Sequence, residues 1–183
     1  MKRLEIMKVK KLSRTHLENR LAWLNHPDVY QYMNMQYPLT FEEMESWYDR
    51  IKGNQLRIDL VFEEENEVVA MTGLTNIDFA DGLAEYYILV NPEKQGQGFG
   101  KASTQFTTNY AFNKFNLNKI YLYTNSYNTR ANKLYLKLGF QQEGLLRKHK
   151  FKNGGFIDRC IFGLLKDDWK QQSYSSDIVS LTS

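Results

Sequence analysis

Six consecutive residues, Gln95-Gly96-Gln97-Gly98-Phe99-Gly100, set three glycines at alternate positions between an aliphatic run and a helix-forming run. Glycines so placed let backbone N–H groups approach an anion with no side chain in the way, at the positive end of the helix that follows. A diphosphate suits such a loop; a tight strand-to-helix turn is the plainer use of the same residues. Spacing tests two other phosphate loops. A Walker A loop needs Gly, four residues, then Gly-Lys-Ser/Thr, but Gln95 holds the first-glycine position and Ala102 follows Gly100-Lys101. The dinucleotide fingerprint fails because Lys101 stands where Gly96 and Gly98 would require a third glycine. Neither NTP hydrolysis nor a nicotinamide cofactor is supported.

The elements that must position this loop are legible in the hydrophobic periodicity. Leu83 to Val90 reads as the strand leading in, with Ala84, Tyr86, Ile88 and Val90 on one face and Glu85, Tyr87 and Leu89 on the other. A helix follows the loop to about Phe115, then a short strand, Ile120 to Thr124. Asn128 to Leu138 reads as a helix with Ala131, Leu134, Tyr135 and Leu138 on one face, and Gly139 suits the left-handed position after it. Two closing strands meet at Asn153-Gly154-Gly155, a hairpin signal. Upstream, Arg3 to Lys11 reads as a strand. Ser13 caps a helix carrying Leu17, Leu21 and Leu24, and Thr40-Phe41-Glu42-Glu43 is a capping box opening a second helix to Ile51. Leu56–Phe62 and Val68–Thr75 form a hairpin across an acidic turn. The order predicts an α+β (α/β layered) fold around one mixed sheet of about seven strands and about four helices.

With 183 residues and three prolines, the chain fits one domain over residues 1–170 and a flexible tail over 171–183, where Ser and Gln dominate. No apolar run approaches a membrane span, and Met1 to Ile6 lacks a signal-peptide core, so a cytoplasmic protein without a membrane partner is expected. The net charge of +3 is too small to argue for nucleic acid. Arg147-Lys148-His149-Lys150-Phe151-Lys152 reads either as an exposed strand face or as an anion-binding patch. The single cysteine, Cys160, excludes an intramolecular disulfide and leaves no cysteine cluster for a structural metal; no metal is expected.

Gln95, Gly98 and Gly100 match Q/R-x-x-G-x-G/A, and Asn128-Thr129-Arg130-Ala131 leads on to Tyr135 and Leu138-Gly139-Phe140. In motif, order and spacing, residues 56 to 165 or so resemble the GCN5-related N-acetyltransferase (GNAT) superfamily. The arrangement is most similar to its RimJ/RimL and spermidine acetyltransferase branches, while Trp23-Leu24-Asn25-His26-Pro27-Asp28-Val29 resembles amino-sugar-nucleotide acetyltransferases.

The resemblance implies an acetyl-CoA-dependent acyltransferase of a primary amine: a protein N-terminus, a polyamine or an amino sugar. It implies a sheet splayed beside the loop-preceding strand, with Leu89 and Val90 pairing with pantetheine. Gln95, Gly96, Gly98, Phe99, Gly100 and Lys101 would bind the pyrophosphate, and Asn128 would face the pantetheine or simply cap its helix. Tyr135 matches the family's general acid, its alternative being a core tyrosine. Glu85 is the candidate base, acting through water, or else an orienting or structural carboxylate. Asp28, Glu42, Glu43 and Glu45 would be the carboxylates for a polyamine, or exposed helix acids. A homodimer is compatible with the family. The alternative of another class is a GNAT-like module that senses acyl-CoA without turnover, which would need neither Tyr135 nor Glu85.

Overall fold

The computed structural model describes residues 7–35 and 37–169; the tail at 171–183 and the start of the first strand lie outside them. Seven strands form one sheet in the order β1-β2-β3-β4-β5-β7-β6. They are β1 (Lys8–Lys11), β2 (Ile58–Glu64), β3 (Glu67–Asp78), β4 (Leu83–Val90), β5 (Lys119–Asn125), β6 (Gln141–Lys152) and β7 (Gly155–Leu165). Among the described residues five helices pack on it: α1 (Leu17–Leu24), α2 (Pro27–Tyr30), α3 (Phe41–Ile51), α4 (Phe99–Lys114) and α5 (Thr129–Lys137). The one-turn α2 is the helix beyond the about four expected; Pro27 at its first position and the His26 ring accepting from Asp28 N–H start it.

The two sheet faces follow from strand alternation. Leu60, Phe62 and Ala70 join Phe99, Ala102 and Phe106 of α4, whereas Val61, Met71 and Leu89 join Leu17, Trp23, Val29 and Met44 of α1–α3. Helix α4 is buried despite its polar sequence because its hydroxyls are satisfied: Ser103 donates to the Phe99 carbonyl, Thr104 to that of Gly100, and Thr107 to that of Ser103. The capping box at α3 forms as read, Thr40 N–H donating to Glu43 Oε2 at 2.8 Å and Glu43 N–H to Thr40 Oγ1 at 3.2 Å. Ser13 instead opens a short 3-10 turn, Arg14–His16, before α1, because the His16 ring accepts its backbone N–H at 3.0 Å.

Candidate acyl-transfer site

Strand β4 pairs with β5 in parallel only over Leu83–Glu85, opposite Lys119–Tyr121. Beyond Glu85 it stays paired with β3 as far as Val90, while β5 runs on with β7 to Asn125. The sheet therefore opens at its centre, and the Tyr86–Val90 edge of β4 facing β5 has no strand beside it. A cleft of about 410 Å³ occupies this opening, lined by Ile88, Leu89 and Val90 from β4, Gln95, Gly96 and Gly100 from the loop, and Asn128, Ala131 and Tyr135 from α5.

Each predicted residue has a definite place. Gly96 and Gly98 adopt φ of +83° and +95°, the left-handed region that glycine enters without a Cβ penalty. Gly100 differs from both: a Cβ there would lie 3.4 Å from Val90 and 3.6 Å from Leu134, ordinary contact distances, so α4 packs beside β4 and α5 with room for a methyl. The first helical bond of α4 runs from Ala102 N–H to the Gly98 carbonyl, which leaves the Gly100 and Lys101 amides in the first turn at the positive end of a 16-residue helix. The Phe99 side chain is buried in the core, so only its backbone faces the loop. The Lys101 side chain lines a separate hollow between α4 and α5, away from the cleft. Asn128 caps α5, accepting from Ala131 N–H at 3.2 Å, and also lines the cleft.

Tyr135 is only 4% exposed, set edge-on against Tyr86 and Phe140 in the core, yet it borders the cleft. Burial holds its phenol well above the usual tyrosine range, so it keeps its proton. Glu85 stands at the point where β4 and β5 part, on the opposite face, and accepts from Asn76 Nδ2 at 3.0 Å. It does not line the cleft beside Tyr135, so the two are not brought into direct contact.

Three features escaped the sequence. Arg130 Nη1 donates to Gln95 Oε1 at 2.6 Å, which ties the loop to α5 and adds a cation at the cleft. Four successive carbonyls at the end of α2 are taken by distant side chains: Lys152 Nζ reaches those of Tyr30 and Met33, Tyr127 Oη that of Gln31, and Asn125 Nδ2 that of Tyr32. Of the basic run Arg147 to Lys152, residues 147–151 are exposed and only Lys152 turns in to make this clamp. The third is Arg159, stacked on Tyr123. None has a local signal, since each depends on a pairing across the fold. Among the described residues no three His, Cys, Asp or Glu side chains gather as a metal site, and no helix is long and apolar enough to cross a membrane.

Residues 7–141 match the acetyltransferase (GNAT) domain family. The chain belongs to that family. It is an acetyl-CoA-dependent N-acetyltransferase that acts on a primary amine. This acetyltransferase is 31% identical over 159 residues to spermidine N(1)-acetyltransferase of Escherichia coli (strain K12), covering 85% of the chain and 86% of the relative. It is 32% identical over 151 residues to the uncharacterized N-acetyltransferase p20 of Bacillus licheniformis, covering 78% and 83%. The crystal structure of spermidine N-acetyltransferase from Vibrio cholerae in complex with CoA and spermine superposes with a TM-score of 0.84 at 27% identity, over 90% of this chain and 98% of that one.

Proposed function

We propose that acetyl-CoA lies in the opening between β4 and β5, its pyrophosphate on the loop from Gln95 to Lys101 and its pantetheine along Leu89 and Val90. The observation that carries this reading is the loss of β4–β5 pairing after Glu85, with the left-handed glycines at one end of the cleft and Tyr135 on its wall. An extended amide-bearing arm can pair with the vacant strand edge as another strand would. The first-turn amides of α4, together with Arg130 through Gln95, supply donors and positive charge for the diphosphate.

The amine attacks the thioester carbonyl directly. As the new C–N bond forms and the C–S bond breaks, the nitrogen must lose a proton and the sulfur gain one. Tyr135, held protonated by burial and bordering the cleft, protonates the departing sulfur. Glu85, on the acceptor side of the sheet, takes the amine proton through water. A backbone N–H of β4 near Leu89 serves as donor to the developing oxyanion. Polyamines, amino sugars and peptide N-termini are the acceptors to compare, spermidine among them because the Escherichia coli relative is a spermidine N(1)-acetyltransferase. The test is thiol release from acetyl-CoA against such a panel. Turnover with at least one amine supports the reading, and CoA binding with no turnover on any amine would overturn it.

A further inference from the structure

On the side of the sheet that carries Glu85 stand two guanidinium groups with nitrogens the fold leaves unpaired, one from β7 and one from α1. Ala84, Tyr86, Ile120, Leu122 and Cys160 all belong to the core on the α4–α5 side. By alternation, Glu85 and Tyr87 of β4, Tyr121 and Tyr123 of β5 and Arg159 of β7 point to the other side, toward α1–α3. The Arg159 guanidinium lies 4.7 Å from the centre of the Tyr123 ring, and its Nε is buried with no hydrogen-bond partner. It feels the charge of Glu85, yet burial lowers its proton affinity, and among the described residues it forms no ion pair. Further along the same face, Arg20 is 7% exposed between Trp47 and Tyr87, with Nε and Nη1 unpartnered, on the wall of a cavity of about 430 Å³.

Of the four carboxylates that could serve a polyamine, two are engaged, whereas Asp28 borders the cleft and Glu42 the cavity beside Arg20. Glu43 is held in the capping box of α3, Glu45 pairs with Arg14 at 2.9 Å, and Asp59 pairs with Arg57 at 2.6 Å. Glu85 itself faces Asn76 and Arg159. A long triamine entering beside Glu85 would meet the Arg159 guanidinium.

We propose that the acceptor carries an anionic oxygen group, a carboxylate or a phosphate, besides its amine, and that Arg159 is the side chain that recognises it. This deepens the acetyl-transfer reading above and rests on it. A guanidinium presents its donors as a rigid fork matched to two oxygens, and the Tyr123 ring beneath it holds Arg159 on this face. With Glu85 at the parting of β4 and β5 and Arg159 across the face from it, an acceptor with opposite charges at its two ends is oriented with its amine toward the thioester.

Thiol release from acetyl-CoA is measured with matched acceptors: 4-aminobutanoate against butylamine, glucosamine 6-phosphate against glucosamine, and spermidine. The expected result is a kcat/KM at least tenfold higher for the anionic member of one pair than for its uncharged partner and for spermidine. The pair that shows it distinguishes carboxylate from phosphate. Arg159→Gln should lower kcat/KM for that acceptor by about 10- to 100-fold, chiefly through KM, the scale of a hydrogen bond to a charged group. Arg159→Lys, which keeps the charge but loses the fork, should fall in between. It decides the question if Arg159→Gln fails to fold, as judged by loss of CoA-dependent thermal stabilisation. Equal or better use of spermidine or the uncharged amines overturns the inference and leaves acetyl transfer standing, as does a preference that survives in both variants. Turnover of no amine, with CoA bound, overturns the acetyl-transfer reading and this inference with it.

Discussion

At the scale of single residues, Tyr135 combines two properties that seldom coincide: it is packed as a core residue and it borders a cleft. Phenylalanine fills the same space, so Tyr135→Phe should leave the melting temperature and CoA affinity close to wild type. Turnover should fall by about 10²-fold or more, the usual contribution of a positioned proton donor; unchanged turnover would remove the acid role. The pH dependence follows from the direction of its shift. A phenol whose affinity for its proton is raised by burial stays protonated above the ordinary tyrosine value of 10.0, so kcat should not decline between pH 7 and 10 through loss of this proton. A falling limb in that range in the wild type, absent in Tyr135→Phe, would show that the phenol loses its proton there and contradict its raised proton affinity. Glu85 gives a separate expectation. If it removes the amine proton, Glu85→Gln should depress kcat/KM most near neutral pH, and the deficit should shrink as pH rises toward the amine's own pKa. A deficit constant with pH would instead make Glu85 an orienting carboxylate.

At the scale of elements, the loop between β4 and α4 uses its glycines for unlike purposes, and the difference is measurable. A Cβ on Gly98 would meet nothing within 4 Å, so the obstacle to Gly98→Ala is the φ of +95° alone. Forcing alanine into the left-handed region costs about 1–2 kcal/mol, and the loop will shift to avoid it. Gly98→Ala should lower stability by about that amount and weaken CoA binding, measured by denaturation and titration calorimetry. Gly100→Ala lies within the helix, where the added methyl makes ordinary contacts with Val90 and Leu134, and its stability should change little. Equal losses in both variants would mean that packing, not backbone conformation, governs the loop. Much at this scale was legible from local rules. The bounds of β4 match, α4 ends one residue before Phe115, and Asn153 and Gly154 turn the last hairpin with φ of +49° and +80°. What local rules could not give is where two neighbouring strands stop pairing. Nothing in Leu83–Val90 says that the β5 side is vacated after Glu85; that depends on how far β7 draws β5 away.

At the scale of the molecule, the wall of the cleft formed by α2 is held by residues about a hundred positions away. A one-turn helix ends with carbonyls it cannot satisfy internally. Here the carbonyls of Tyr30, Gln31, Tyr32 and Met33 all accept from side chains at the end of β5, in the β5–α5 connection and at the end of β6. Lys152 makes two of these contacts, and a cation at a helix C-terminus is favourable by dipole as well as by hydrogen bond. Burial lowers the affinity of its ammonium for the proton, so the carbonyls hold it against a desolvation cost. The last hairpin and the first helices therefore form one enclosure, held by contacts that span the fold. Lys152→Met keeps the apolar stem and deletes the donors. It should lower stability by about 1–2 kcal/mol and raise the acceptor KM severalfold. The acetyl-CoA KM should change less, because the loop from Gln95 to Lys101 is anchored separately through Arg130. Steady-state kinetics with each substrate varied in turn would decide it: a parallel rise in both KM values would show that the clamp supports the whole cleft and not the acceptor side of it.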